Sequence, residues 1–124
     1  MPKNCLIVED NSISQEVFET HMETLGLEFR TASSGEEALR LCRDKIPDVV
    51  LLDWHMPGMD GFEFIDKLHS LNDGKADPTI VMCTCDSGVE KEIKDKNAHV
   101  NGFLVKPTRF TDLEAKFKEL GVVI

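Results

Sequence analysis

Paired cysteines, long apolar runs and an excess of positive charge are all missing from this 124-residue sequence. Its four cysteines, Cys5, Cys42, Cys83 and Cys85, include no Cys-x-x-Cys pair. Cys83 and Cys85 would point to the same face of a strand and cannot readily bond to each other. His21, His55, His69 and His99 lack ligand spacing as well. Reduced, partly buried thiols are therefore expected rather than a disulfide framework or a zinc site. No apolar run approaches the roughly 18 residues of a membrane helix, and the N-terminus does not read as a signal segment. The expected location is cytoplasmic, with no membrane partner. Lys and Arg number 14 against 23 Asp and Glu, and the net charge of −9 argues against a nucleic-acid partner. No glycine-rich loop follows the first apolar run, which removes nucleotide binding of the P-loop or dinucleotide kind.

What is present is alternation. A hydrophobic content of 41% and a charged content of 30% fit one ordinary globular domain. Residues 4–8 read as a strand. Ile13, Val17, Phe18, Met22 and Leu25 then keep helical spacing, with Ser12 as cap and Gly26 as stop. Residues 27–32 form a second strand, and Ser34 caps a second helix ending near Pro47. Residues 48–53 are a third strand, and Phe62, Ile65 and Leu68 mark a third helix. After a polar turn over 72–78, residues 79–84 read as a fourth strand. Residues 88–98 are helical but weakly amphipathic, and 100–105 are a fifth strand. Phe110, Leu113, Phe117 and Leu120 mark the closing helix. Five β–α repeats with near-continuous apolar strands predict an α/β fold: a doubly wound parallel five-stranded sheet, covered on both faces.

In such sheets ligands collect beyond the carboxyl ends of the strands. The first strand ends in Glu9-Asp10, the third in Asp53, the fourth in Thr84 and the fifth in Lys106. Carboxylates about 4 Å apart repel by about 4 kcal/mol at an effective dielectric near 20, so three together need a cation. Hard oxygen donors with room for water suit Mg²⁺ or Mn²⁺ better than zinc. Lys106 adds an ammonium that can pair with Asp53 at rest and with a phosphoryl oxygen later. Thr84 adds a hydroxyl donor. Together these groups fit phosphoryl transfer onto an already ionised aspartate. Taken singly, each has an ordinary reading: Asp10 as a helix cap, Thr84 as a strand residue, Lys106 as a surface lysine.

The whole of 1–124 resembles the receiver domain of the two-component response regulators, as a stand-alone, chemotaxis-regulator-like domain with no output domain. The resemblance rests on Glu9-Asp10, on Asp53 within Asp-x-x-Met-Pro-x-Met-Asp-Gly, on Thr84, and on Gly-Phe-Leu-Val-Lys-Pro around Lys106. It implies the flavodoxin-like strand order 2-1-3-4-5. It implies that Asp53 takes a phosphoryl group from a sensor histidine kinase or a histidine phosphotransfer protein. Asp10, Asp53 and the His55 carbonyl would hold Mg²⁺ with Glu9 assisting. Thr84 and Phe103 would form a switch pair that alters the face of helix 4, strand 5 and helix 5 for a downstream protein target. Such a protein, expected to be a monomer, is no enzyme beyond its own Mg²⁺-dependent phosphorylation and dephosphorylation.

Four positions depart from the family pattern or vary within it. Phe103 replaces the tyrosine of many relatives but keeps the aromatic body a switch needs. Cys85 stands where relatives usually carry a smaller residue, and Cys85→Ala is expected to change the lifetime of phosphorylated Asp53, shortening it. His55 and Asp86, each two residues beyond Asp53 and Thr84, are further modulators of that lifetime. Haloacid-dehalogenase-like phosphatases also use a strand-end aspartate, but they need a second aspartate two residues on, and position 55 is histidine. A receiver-like module that no longer takes phosphate would have lost an acid, Asp53 or Lys106, and all are present.

Overall fold

A computed structural model describes residues 3–54, 56, 58–73, 77–85, 88–95 and 99–123. Strands β1 (Asn4–Val8), β2 (Glu28–Ala32), β3 (Val49–Asp53), β4 (Thr79–Thr84) and β5 (Gly102–Val105) alternate with helices α1 (Ser12–Leu25), α2 (Gly35–Asp44), α3 (Gly61–Leu71), α4 (Val89–Asp95) and α5 (Phe110–Glu119). All strand pairs are parallel, in the order β2-β1-β3-β4-β5. The expected fold class and strand order both hold.

Strand pleating sorts the core into two layers. Leu6, Val8, Val50, Leu52, Ile80 and Met82 pack beneath α2, α3 and α4. Cys5, Ile7, Val49, Leu51, Val81, Cys83 and Leu104 face α1 and α5. The interior strands β1, β3 and β4 are thus buried on both sides, which explains their unbroken apolar runs. Edge strand β2 has only Ala32 buried, and on edge strand β5 Val105 is exposed.

Local chemistry sets the element ends. Asn11, rather than Ser12, caps α1 by accepting from the Ser14 N–H at 3.0 Å, and Ser12 is its first residue. Gly26 ends that helix at φ 74°, a left-handed conformation that glycine adopts without steric cost. Ser34 and Asp60 cap α2 and α3 in the same way as Asn11. Helix α2 stops at Asp44, short of Pro47. Strand β5 starts at Gly102, not at residue 100, and α4 is described over 89–95, with Val89 and Ile93 buried as its spacing requires.

One expectation from periodicity fails. Ile13 and Val17 share the helical spacing of Phe18 and Met22, yet they are 71% and 42% exposed while the latter two are buried. The sheet accepts only one stripe of α1, and Ile13 and Val17 lie beside it.

Candidate functional site

The polar strand ends meet at the carboxyl edge of the sheet. Glu9 leaves β1 with its N–H on the Ala32 carbonyl at 3.0 Å, which turns its side chain inward, where it is 1% exposed. Asp10 follows and is exposed. Asp53 is the last residue of β3, beside Cys83 in the ladder, and its side chain is 11% exposed. Thr84 ends β4 and is buried. The Lys106 N–H donates to the Thr84 carbonyl at 2.9 Å, so the residue leaving β5 is still registered to β4.

Glu9, Asp10 and Asp53 each present a carboxylate oxygen within 4.8 Å of the others, and they are the only such group of metal-type ligands among the described residues. Lys106 places its ammonium on Glu9 Oε1 and 3.7 Å from Asp53 Oδ2. The sequence paired this lysine with Asp53 at rest; Glu9 is its closer partner. The electrostatics follow from that packing. Burial disfavours the Glu9 carboxylate, but the hydrogen bond with Asp53 and the ammonium of Lys106 outweigh it and hold Glu9 below the usual carboxylate range. Burial likewise disfavours the Lys106 ammonium, and Glu9 and Asp53 overcome it to hold Lys106 above its ordinary value. One ammonium therefore serves a buried and a partly buried acid, while exposed Asp10 has no ion pair among the described residues.

Glu9 Oε2 is buried without a hydrogen-bond partner. A buried carboxylate oxygen left unpaired is costly unless a ligand completes it. Three hard oxygen donors, one of them orphaned, with an open side at Asp10 fit a small divalent cation.

Of the remaining expected site residues, Phe103 is half-buried and lies opposite Met82. Thr84 lies opposite Val105, so Thr84 and Phe103 are diagonal neighbours on one face of the sheet. Cys85 is exposed and lines a cavity of about 390 Å³ with Ile13, Val17, Lys106 and Pro107. His55 and Asp86 lie outside the described residues. The loop before α3 is fastened by two side chains on glycines. Met59 packs against Gly35, and the Trp54 ring lies where a Cβ on Gly61 would stand, 2.2 Å from Cε3.

Two features escaped sequence reading. One is the exposed Ile13–Val17 ridge beside Lys106. The other is Thr108, whose hydroxyl lies 3.1 Å from the Cys83 thiol. An i, i+4 apolar pair looks the same whether it faces the core or a partner, and a threonine just past a strand carries no signal.

Comparison with known proteins gives the same architecture. The protein-family model for the response regulator receiver domain matches residues 5–118. A probable transcriptional regulator, ycf27, of Guillardia theta is 34% identical over 91% of this chain and 43% of its own length. The chain spans about half the length of the curated relatives it matches. Among solved structures, a CheY-like receiver domain protein of Methanospirillum hungatei superposes with a TM-score of 0.84 at 28% identity, over 97% of this chain and 94% of that one. The chemotaxis response regulator CheY4 of Vibrio cholerae gives 0.84 at 28% identity, over 97% and 99%. Strand order, matched span and the acids gathered at one sheet edge agree, and the chain belongs to the family of response regulator receiver domains.

Proposed function

We propose that this domain is a phosphorylation-operated switch in which Asp53 takes a phosphoryl group from a phosphohistidine on a sensor kinase or phosphotransfer protein. An Asp53 oxygen forms the new bond to phosphorus, the phosphorus–nitrogen bond breaks, and the imidazole leaves with its electron pair. In its ionised form a carboxylate attacks without a separate base. Asp10, Asp53 and the His55 carbonyl would hold Mg²⁺ with Glu9 assisting, and the ion would supply positive charge opposite the transferring oxygens. Lys106, now shared between Glu9 and Asp53, would turn to a phosphoryl oxygen, and Thr84 would donate its hydroxyl to another.

The observation that carries this reading is the convergence of Glu9, Asp10 and Asp53 within 4.8 Å, with the Lys106 ammonium bridging two of them. Support for a protein donor comes from the ridge beside it. Ile13 and Val17, one turn apart on α1, stay exposed around the same cavity as Lys106 and Pro107. Large apolar side chains left in water beside a reactive group fit a surface covered during transfer. Support for the output face comes from β5 and α4. Phe103 and exposed Val105 lie on an edge strand, and α4 is anchored through Val89 and Ile93. Rotation of Thr84 toward the phosphoryl group would open room for its diagonal neighbour Phe103, and a downstream protein would read the changed face of α4, β5 and α5.

Incubation with acetyl phosphate and Mg²⁺, followed by intact mass spectrometry, tests the reading. One phosphoryl increment is expected, absent with chelator and absent in Asp53→Asn. Turnover of an external phosphomonoester without an increment would replace the switch by a phosphatase.

A further inference from the structure

Lys106 must keep a long, flexible side chain aimed at Asp53, and the backbone that carries it has just left the sheet. Three hydrogen bonds hold that exit. The Lys106 N–H donates to the Thr84 carbonyl at 2.9 Å. The Thr108 hydroxyl donates to the Val105 carbonyl at 3.4 Å and lies 3.1 Å from the Cys83 sulfur. Cys83 is 1% exposed, faces α1 and α5, and stands in the ladder between Asp53 on one side and Leu104 on the other.

Either group can donate across the 3.1 Å Cys83–Thr108 contact, and the Val105 carbonyl is a second acceptor for the Thr108 hydroxyl. Burial pushes the Cys83 thiol up to about 11, so it keeps its proton at neutral pH. The backbone of Thr108 is also covered from the outside. His21 of α1 lies against it, with its ring 5.4 Å from Phe110 and 6.5 Å from Phe18. The turn after β5 is thus tied from beneath by Cys83 and walled by His21.

We propose that Thr108 and Cys83 are positioning residues for Lys106, their side-chain hydrogen bond fixing the turn that holds the ammonium between Glu9 and Asp53. The inference rests on the phosphoryl-acceptor reading of that site. Thr108 reaches the site through the turn that carries Lys106, whereas Cys83 also stands beside Asp53 in the ladder. Loss of the bond leaves the turn held by its remaining hydrogen bonds and lets the ammonium spend time away from Asp53. Misplacement of a charge that acts during transfer costs rate more than it costs stability.

The test uses acetyl phosphate at saturating Mg²⁺ and the full chain. Thr108→Val keeps shape and removes the hydroxyl; it should slow Asp53 phosphorylation roughly tenfold. Its calorimetric Mg²⁺ affinity should equal that of the wild type, and Thr108→Ser should restore the rate. On a Lys106→Ala background, Thr108→Val should cause no further slowing, because the group it positions is gone. A wild-type rate in Thr108→Val, or the same fold loss with and without Lys106, overturns the proposal. Cys83→Val removes the bond from the sheet side and must repeat the pattern, which keeps the test decisive if Thr108→Val does not fold. A wild-type rate in Lys106→Ala would also overturn the proposal, whereas a wild-type protein that takes no phosphoryl group on Asp53 would refute the acceptor reading itself.

Discussion

Removing the Asp10 charge should stabilise the metal-free protein and destabilise the protein in Mg²⁺. Two carboxylates at the 4.8 Å limit of this cluster repel by about 3.5 kcal/mol at an effective dielectric of ~20, and by about 0.9 kcal/mol in bulk water. Asp10 is exposed, so the lower figure governs, and Lys106 already offsets part of the field of Glu9 and Asp53. Asp10→Asn should therefore gain about 1 kcal/mol without metal, a rise of about 3–5 °C in Tm for a chain of this length. Wild type gains RT ln(1 + [Mg²⁺]/Kd) from the ion. If the mutant has lost its site, the two stabilities cross near [Mg²⁺] of about four times Kd, where that gain reaches about 1 kcal/mol. Thermal and urea unfolding across a Mg²⁺ series reads both limbs. A mutant no more stable than wild type in chelator, or two proteins that gain equally from Mg²⁺, would refute the crowding of these acids.

Other predictions concern the rest of the molecule. Gly61→Ala would drive a methyl into the buried Trp54 ring, 2.2 Å away, and should cost ~1–3 kcal/mol by urea denaturation; a mutant as stable as wild type contradicts that contact. Burial holds His21 below its ordinary value of 6.5, against the opposing pull of the Thr108 backbone, so the unfolded chain takes the proton more readily. Its stabilising contribution is full above about pH 6.5 and is lost as pH falls through the lower folded value. His21→Phe should flatten the loss of Tm between about pH 7 and pH 5, and unchanged slopes would exclude it. N-ethylmaleimide should mark Cys85 alone, because Cys5, Cys42 and Cys83 are buried with thiols pushed up to about 12, 11 and 11. The marked protein should still react with acetyl phosphate but lose about tenfold or more in transfer from a phosphohistidine protein. Equal loss with both donors would remove the Ile13–Val17 ridge as the donor's footing.

Much of this could be read from the chain because strand ends are conspicuous. Val49 to Leu52 and Ile80 to Cys83 are apolar through their length and stop at Asp53 and Thr84, so the strands point at their own polar termini. The parallel order then puts those termini on one edge. What periodicity does not encode is which neighbour a side chain meets. Ile13 and Val17 carry the same spacing as Phe18 and Met22, but only the latter meet the sheet. Lys106 has acids from both β1 and β3 within reach, and the inward turn of Glu9 decides the closer partner. The Cys83–Thr108 bond joins residues on different elements, each unremarkable where it stands in the chain.

A crystal structure grown with Mg²⁺ and beryllofluoride tests the central claim most directly. The account predicts beryllium on an Asp53 oxygen, the metal on Asp10 and Asp53, and the Lys106 ammonium moved from Glu9 to a fluorine. Beryllofluoride elsewhere, or a metal bound without Asp10 and Asp53, would contradict it.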